Sequence, residues 1–457
     1  MFVKEMPNMR KQPSRSSSLL ILALTILAFA LALAPNAFAA PVEQVLHSFL
    51  GGTDGYNPDG GLVADAAGNL YGTSTWGGPN FAAPYGTVFE LTPPAAPGGD
   101  WTKTVLYSFQ GGPNDGATPF GTLTFDKAGN LYGTTEAGGP SNTGTVFELS
   151  PPATVGGDWT ETVLYIFPAD TSQGYLPFGR LTFDGIGDLY GTTQFGGTGK
   201  SDSGCSINGC GTVFKLKPPA SAGESWTASV LYNFGSFDGD GAEPGRGLAF
   251  RLGSLYGTTQ GGGANNSGTV FRLVQNQGVW SERILYSFTG AEGSTPIGRL
   301  IYDSAGNLYG TLRSGGNVNS ATCPLGCGAV FELSPPVTPG DPWMETTLYK
   351  FSGGGDGGSP YTAVLRDNLG RLYGTSTAGG ANNWNGTGDN GIVFRLSPPT
   401  VLGDSWKETL LHVFHGAASN DGSFPAGDLI LISGSGLFGT TLEGGTSNSG
   451  SVFSITF

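Results

Sequence analysis

Seven near-copies of Leu-Tyr-Gly-Thr-Thr run through this chain at intervals of about sixty residues, a repeat that dictates an array or closed ring of like units. The central tyrosine falls at Tyr71, Tyr132, Tyr190, Tyr256, Tyr309 and Tyr373, with Phe438 in the seventh place. Gly-Gly, a polar loop and a segment of the Gly-Thr-Val-Phe-Glu-Leu type follow each copy. The repeat speaks for architecture. No catalytic motif accompanies it to speak for function.

In the second unit, residues 119–126 read as a strand because Leu123 and Phe125 alternate along one face. Residues 127–130 make a tight turn, with Asp126 placed to hydrogen-bond into it and Gly129 suited to positive φ. Residues 131–135, 144–149 and 159–167 supply three further strands. Four short antiparallel strands per unit, repeated, is the pattern of a propeller. Such strands are too short for a membrane barrel, which needs about nine to eleven residues in each. Apolar residues at both parities, as in Val146-Phe147 and Val163-Leu164-Tyr165, suit sheets buried on both faces. The expected fold is all-β, a seven-bladed β-propeller with four antiparallel strands per blade.

The chain ends say how the ring closes. Val45-Leu46-His47-Ser48-Phe49 parallels Val105-Leu106-Tyr107-Ser108-Phe109, so residues 42–49 match a fourth strand. Residues 450–457 form a third strand with no fourth behind it. The N-terminal strand should therefore complete the last blade and remove an exposed sheet edge.

Ahead of that strand, Lys4, Arg10, Lys11 and Arg15 precede an apolar run over residues 19–34, then Pro35 and Ala37-Phe38-Ala39. This is the order of a secretory signal, and the run falls short of the roughly twenty residues a spanning helix needs. Residues 1–39 are read as a signal peptide and 40–457 as one propeller domain, exported to the periplasm, the cell surface or the medium. Losing a segment of net charge +3 takes the chain from −14 to −17. Nucleic-acid phosphates and anionic lipids would repel such a surface, so no nucleic-acid partner and no membrane insertion are expected, and the mature chain is read as a monomer. Seventy-nine glycines without a three-residue period exclude collagen, and 38% hydrophobic residues argue against disorder.

The four cysteines form two local pairs, Cys205 with Cys210 and Cys323 with Cys327, each in the same part of its unit. In an exported chain two loop disulfides are the economical reading. The alternative, a metal site shared by all four thiolates, would require the two loops to meet.

Taken together, the Leu-Tyr-Gly-Thr-Thr, Gly-Gly, Gly-Thr-Val-Phe-Glu-Leu and Trp-Thr-Glu-Thr-Val-Leu-Tyr segments resemble the Gloeo/Verruco tandem-repeat (choice-of-anchor) family of exported bacterial proteins, over residues 42–457. The resemblance implies an extracytoplasmic location and carries no established activity.

Candidate site residues divide into three groups. The loops entering six of the blades carry an acidic residue: Asp54, Asp115, Asp240, Glu292, Asp356 and Asp421, with Gln173 in the third unit. A ring of carboxylates is a candidate for a hard cation, while turn chemistry alone explains an Asp-Gly-x-x-Pro sequence. Trp76 and Trp384 sit among polar loop residues, where they could stack on a sugar or merely cover their own loops. The other tryptophans recur at the start of fourth strands and read as packing. Arg180, Arg246, Arg299 and Arg366 break the repeat in or beside first strands and are the weakest candidates.

His47 and His412 occupy fourth-strand positions that are tyrosine elsewhere, and His415 lies just beyond. A packed replacement for tyrosine accounts for them better than a general base. No nucleophile elbow, phosphate loop or histidine-rich metal motif occurs, so no catalytic residue, metal or cofactor is expected. The leading expectation is a non-catalytic exported propeller that binds an extracellular glycan or protein through its loop-rich face. A polysaccharide hydrolase or lyase working from the axial funnel and a structural surface protein without a ligand are the alternatives.

Overall fold

Each letter of Leu-Tyr-Gly-Thr-Thr has its own task in the second strand of a blade. The leucines, from Leu70 to Leu437, are fully buried. The tyrosine hydroxyl donates to the aspartate of the preceding hairpin, as from Tyr71 to Asp65 and from Tyr373 to Asp367, both at 3.1 Å. Those aspartates also accept backbone N–H groups of their own turns, Asp126 from Ala128 and Asn130. In the seventh blade Ile432 replaces the aspartate and Phe438 the tyrosine, so acceptor and donor are lost together. The glycine faces a phenylalanine on the third strand, Gly133 opposite Phe147. A Cβ there would lie 2.6 Å from that ring. In five blades the first threonine reaches into the next blade, as from Thr192 to the Gly245 carbonyl at 2.9 Å and from Thr440 to that of Gly60 at 3.1 Å. The second ties its own blade together, Thr135 to Thr145 at 2.8 Å.

The computed structural model describes Met1 and residues 40–79, 84–96, 98–154, 156–199, 205, 208–221, 223–317, 323, 325–380, 390–401 and 403–457. The proposed leader and Trp384 lie outside the described residues. Val42–Thr456 is the propeller. Its seven antiparallel sheets each run first strand, second, third, fourth, the first strand being in two pieces in blades two to four. Blade one comprises Val63–Ala64, Leu70–Ser74, Thr87–Thr92 and Thr102–Ser108. Blade seven comprises Ile430–Ile432, Gly436–Thr441, Ser451–Thr456 and, from the other end of the chain, Val42–Ser48. Val42 pairs with Thr456 and Ser48 with Ser451, so the ring closes as the sequence requires.

Aromatic rings join the blades. The phenylalanine ending each fourth strand meets the third-strand phenylalanine of the next blade edge to face, Phe109 on Phe147 at 5.1 Å and Phe414 on Phe453 at 5.1 Å. The pair Phe49 on Phe89, at 5.2 Å, makes the same contact across the closure. Each such pair contributes about 0.5–1.5 kcal/mol beyond its buried area. Trp159 packs against Tyr71, Trp226 against Tyr132 and Trp280 against Tyr190, again from one blade to the one before it. Both expected disulfides are present and local, Cys205–Cys210 and Cys323–Cys327.

Candidate functional site on the propeller axis

The loop acids lie at the seams between blades, where an outer strand ends and the chain crosses to the next blade. Asp115 accepts the Tyr107 hydroxyl at 3.1 Å and the N–H groups of Gln110 and Gly116. Asp240 is held the same way by Tyr232, Ser236 and Gly241. Glu292 takes Tyr286 and Thr289, and Asp356 takes Tyr349 and Ser352. His47 meets Asp54 at 3.1 Å and His412 meets Asp421 at 3.0 Å, so each histidine fills the tyrosine's place. Gln173 accepts the Tyr165 hydroxyl at 2.8 Å.

A second residue follows each choice. On the adjoining outer strand Glu43, Glu161, Glu282, Glu345 and Glu408 face the acids of their seams. Burial, with the opposing carboxylate adding to it, pushes Glu161 and Glu408 up to about 7 and Glu282 to about 8. Where the loop carries Asp54 the strand carries Lys103, 2.8 Å away, and where the loop carries Gln173 the strand carries Ala228. Hydrogen bonds from His47 and Lys103 overcome burial and hold Asp54 well below the carboxylate range.

The asymmetry is at the axis. Between the first-strand proline and the next core residue stand three residues, and the middle one is Gly60, Gly121, Gly179, Gly298, Thr362 or Gly427 in six blades. Blade four reads Pro244-Gly245-Arg246-Gly247, which reverses the order and puts an arginine in the middle. The Arg246 guanidinium lies over Tyr361 at 4.0 Å and Phe120 at 4.7 Å, and meets both oxygens of Asp59 at 3.4 Å. Those partners come from blades six, two and one. One side chain thus ties four blades together and plugs the axis. Burial opposes the charge of Arg246, and Asp59 and Tyr361 more than restore it.

On the loop-rich side of this plug lies a cavity of about 460 Å³, lined by Asp59, Phe120, Tyr361, Arg313, Phe424 and Glu443 among others. The residue just after each Leu-Tyr-Gly-Thr-Thr copy is, in chain order, Thr75, Glu136, Gln194, Gln260, Arg313, Thr377 and Leu442. This position varies from blade to blade where the five before it keep to the repeat. Arg313 is exposed and stacks on Tyr361 at 5.2 Å, its guanidinium without an ion pair or hydrogen-bond partner among the described residues. Thr75 Oγ1 and Gln260 Nε2 are buried without a hydrogen-bond partner among the described residues. Burial, with Asp59 adding and Arg246 opposing, pushes Glu136 up to about 7. Aromatic faces and an unpaired guanidinium in this cavity are the equipment for holding a polar, oxygen-rich ligand.

Of the residues expected from sequence, Arg246 reaches the centre of this site. Arg180, Arg299 and Arg366 line a separate axial cavity that also includes Tyr302 and Ile430. Trp76 is exposed, its backbone bridged to Tyr56 in the loop region of blade one. The acids are not gathered at the axis. Sequence reasoning missed Asp59, Glu136, Arg313 and Tyr361, although aligning the seven units shows that they fall at two positions that vary from blade to blade.

No curated protein matches this chain. Solved structures of similar fold include a luciferin-regenerating enzyme, 16% identical over 80% of this chain and 98% of its own, with a TM-score of 0.43. A polysaccharide lyase acting on ulvan is 12% identical over 88% of this chain and 94% of its own, with a TM-score of 0.44. A putative oxidoreductase of Thermus thermophilus is 15% identical over 81% and 100%, with a TM-score of 0.39. At these values none bears on function. The sequence model of the Gloeobacter/Verrucomicrobia repeat matches residues 33–205 and 199–383, and the chain belongs to that repeat family.

Proposed function

We propose that this is an exported propeller that binds an extracellular glycan in the axial funnel of its loop-rich face. One observation carries the reading: the funnel is lined by residues that differ from blade to blade, and the exposed Arg313 guanidinium among them has no ion pair or hydrogen-bond partner among the described residues. Arg313 supplies a guanidinium for a carboxylate or sulfate of an acidic sugar, Tyr361 and Phe120 supply aromatic surface, and Trp76 stands on the loops outside. The two disulfides suit an oxidising compartment. No helix among the described residues is long and apolar enough to cross a membrane.

A glycan array probed with the purified protein tests this reading. Retention of acidic oligosaccharides by the wild type, lost in Arg313→Ala at unchanged melting temperature, is the expected result. An array without any retained glycan would favour a structural surface protein. A second reading rests on Glu136, whose carboxyl is poised near neutrality beside the Asp59–Arg246 pair. In that reading the site cleaves the chain it binds, with Glu136 donating a proton. New reducing ends that disappear in Glu136→Gln, with binding retained, would establish it.

A further inference from the structure

We infer that the propeller has a second axial site, on the far side of the Arg246 plug, that binds a small anion carrying a carboxylate, sulfate or phosphate group. It goes beyond the loop-face reading and does not depend on it. The cavity there measures about 200 Å³, enough for an oxyanion on a small polar body. Its wall holds Arg180 and Arg299, with Arg366 contributing farther out, against a single carboxylate, Asp428. None of the three arginines is in an ion pair among the described residues.

The local sequence explains how like charges come together. The last of the three residues after the first-strand proline is Gly61, Thr122, Arg180, Gly247, Arg299, Ala363 or Asp428. Arg180 and Arg299 therefore belong to blades three and five, with Gly247 between them, and a Cβ on Gly247 would lie 3.4 Å from Arg299 Cδ. Gly61 and Ala363 add no long side chain, and Asp428 packs against Gly61. Arg180 donates Nε to Thr124 at 3.2 Å, and Arg299 reaches only the Leu300 carbonyl, at 3.4 Å. Arg299 Nε is buried and has no hydrogen-bond partner among the described residues. Burial and the Arg299 charge pull Arg180 down to about 10, while Asp428 offsets only part of that. Two guanidiniums held together with donors to spare form a receptor for the anion that would relieve them. Asp428 is engaged elsewhere, accepting the Ala363 N–H at 2.9 Å. Between the two axial cavities only a space of about 10 Å³ remains, the size of one water, so the sites are separate.

Calorimetric titration of the protein in chloride buffer with sodium sulfate, sodium phosphate, sodium glucuronate and neutral glucose is the test. At least one anion should bind with a Kd below about 1 mM, and glucose should not bind there. Arg299→Ala should weaken binding at least tenfold. Arg299→Lys, which keeps the charge and fills the same space, should weaken it severalfold with an unchanged melting temperature. Asp428→Asn keeps the acceptor for Ala363 and removes the opposing charge, so it should tighten binding. Arg283→Ala, an exposed position on the outer strand of blade four, should have no effect. The relative affinities of the three anions identify the head group. No binding by any of them, or binding unaffected by both Arg299 variants, would overturn the inference.

Discussion

At the seams between blades the loop residue and the strand residue facing it change together, whereas at the mouth of the axial funnel Arg313 changes without a partner. Asp54 goes with Lys103 and Gln173 with Ala228, and the other loop acids go with a strand glutamate. Phe438 goes with Ile432. At the axis, Arg246 replaces glycine and is met by Asp59, whereas Arg313 occupies a position that is Thr75 or Gln194 in other blades. Nothing among the described residues of the scaffold consumes Arg313. A paired substitution preserves a bond and is the mark of structure, while an unpaired one leaves a donor facing open space and is the mark of a ligand.

The largest expected effect would come from the closing seam. Deleting residues 40–50 removes the outer strand of blade seven together with buried Leu46 and Phe49. Truncating a single buried phenylalanine costs about 3–5 kcal/mol, so the deletion should lower the melting temperature sharply in differential scanning calorimetry. An unchanged melting temperature would mean the ring does not depend on its clasp. Next comes Asp115→Ala, which strands the Tyr107 hydroxyl and two backbone N–H groups. Urea denaturation should show a loss of about 1–3 kcal/mol, with ligand binding at either axial site untouched.

A smaller effect distinguishes the seams by pH. Glu282 titrates near 8 in the folded chain against a reference of 4.5. Its folded form holds the proton more tightly, so its contribution is complete below pH 4.5 and is lost as pH rises toward 8. Glu161 and Glu408 add the same sign up to about 7. The melting temperature should fall between pH 4.5 and 8, and Glu282→Gln should flatten that fall. Asp54 has the opposite sign, its stabilisation being lost only in acid below its reference value of 3.8. The smallest change in stability belongs to Arg313→Ala, within about 0.5 kcal/mol as for other exposed positions. A marked destabilisation there would erase the distinction between seam and axis.

The blades, their closure and the disulfides were legible because local sequence spells them. Leu123 and Phe125 alternate, Pro151-Pro152 turns the chain, and residues 42–49 repeat the fourth strand. The direction in which the loop acids turn was not legible. Asp115 points to the outer strand because the Tyr107 hydroxyl and the Gln110 N–H are there, and that geometry exists only once two blades are in contact. The axis was harder still. Asp59, Phe120, Arg246 and Tyr361 are distant in sequence and individually ordinary, and only ring closure makes them neighbours.

Closure by Val42–Ser48 also sets an order of events. The strand made first pairs with the strand made last, Val42 and Thr456 being 414 residues apart. At about 5–20 residues per second of synthesis, the wait is on the order of 20–80 s. Leu46 and Phe49 share a cluster with Leu62, Leu70 and Phe89 of blade one, so the waiting strand has an early berth for its side chains. Its backbone hydrogen bonds must come at the end. A chain that stops short of Ser451–Thr456 leaves that edge unpaired and sticky, and the final strand therefore acts as a completeness check, distinguishing finished molecules from aborted ones by whether the ring can shut.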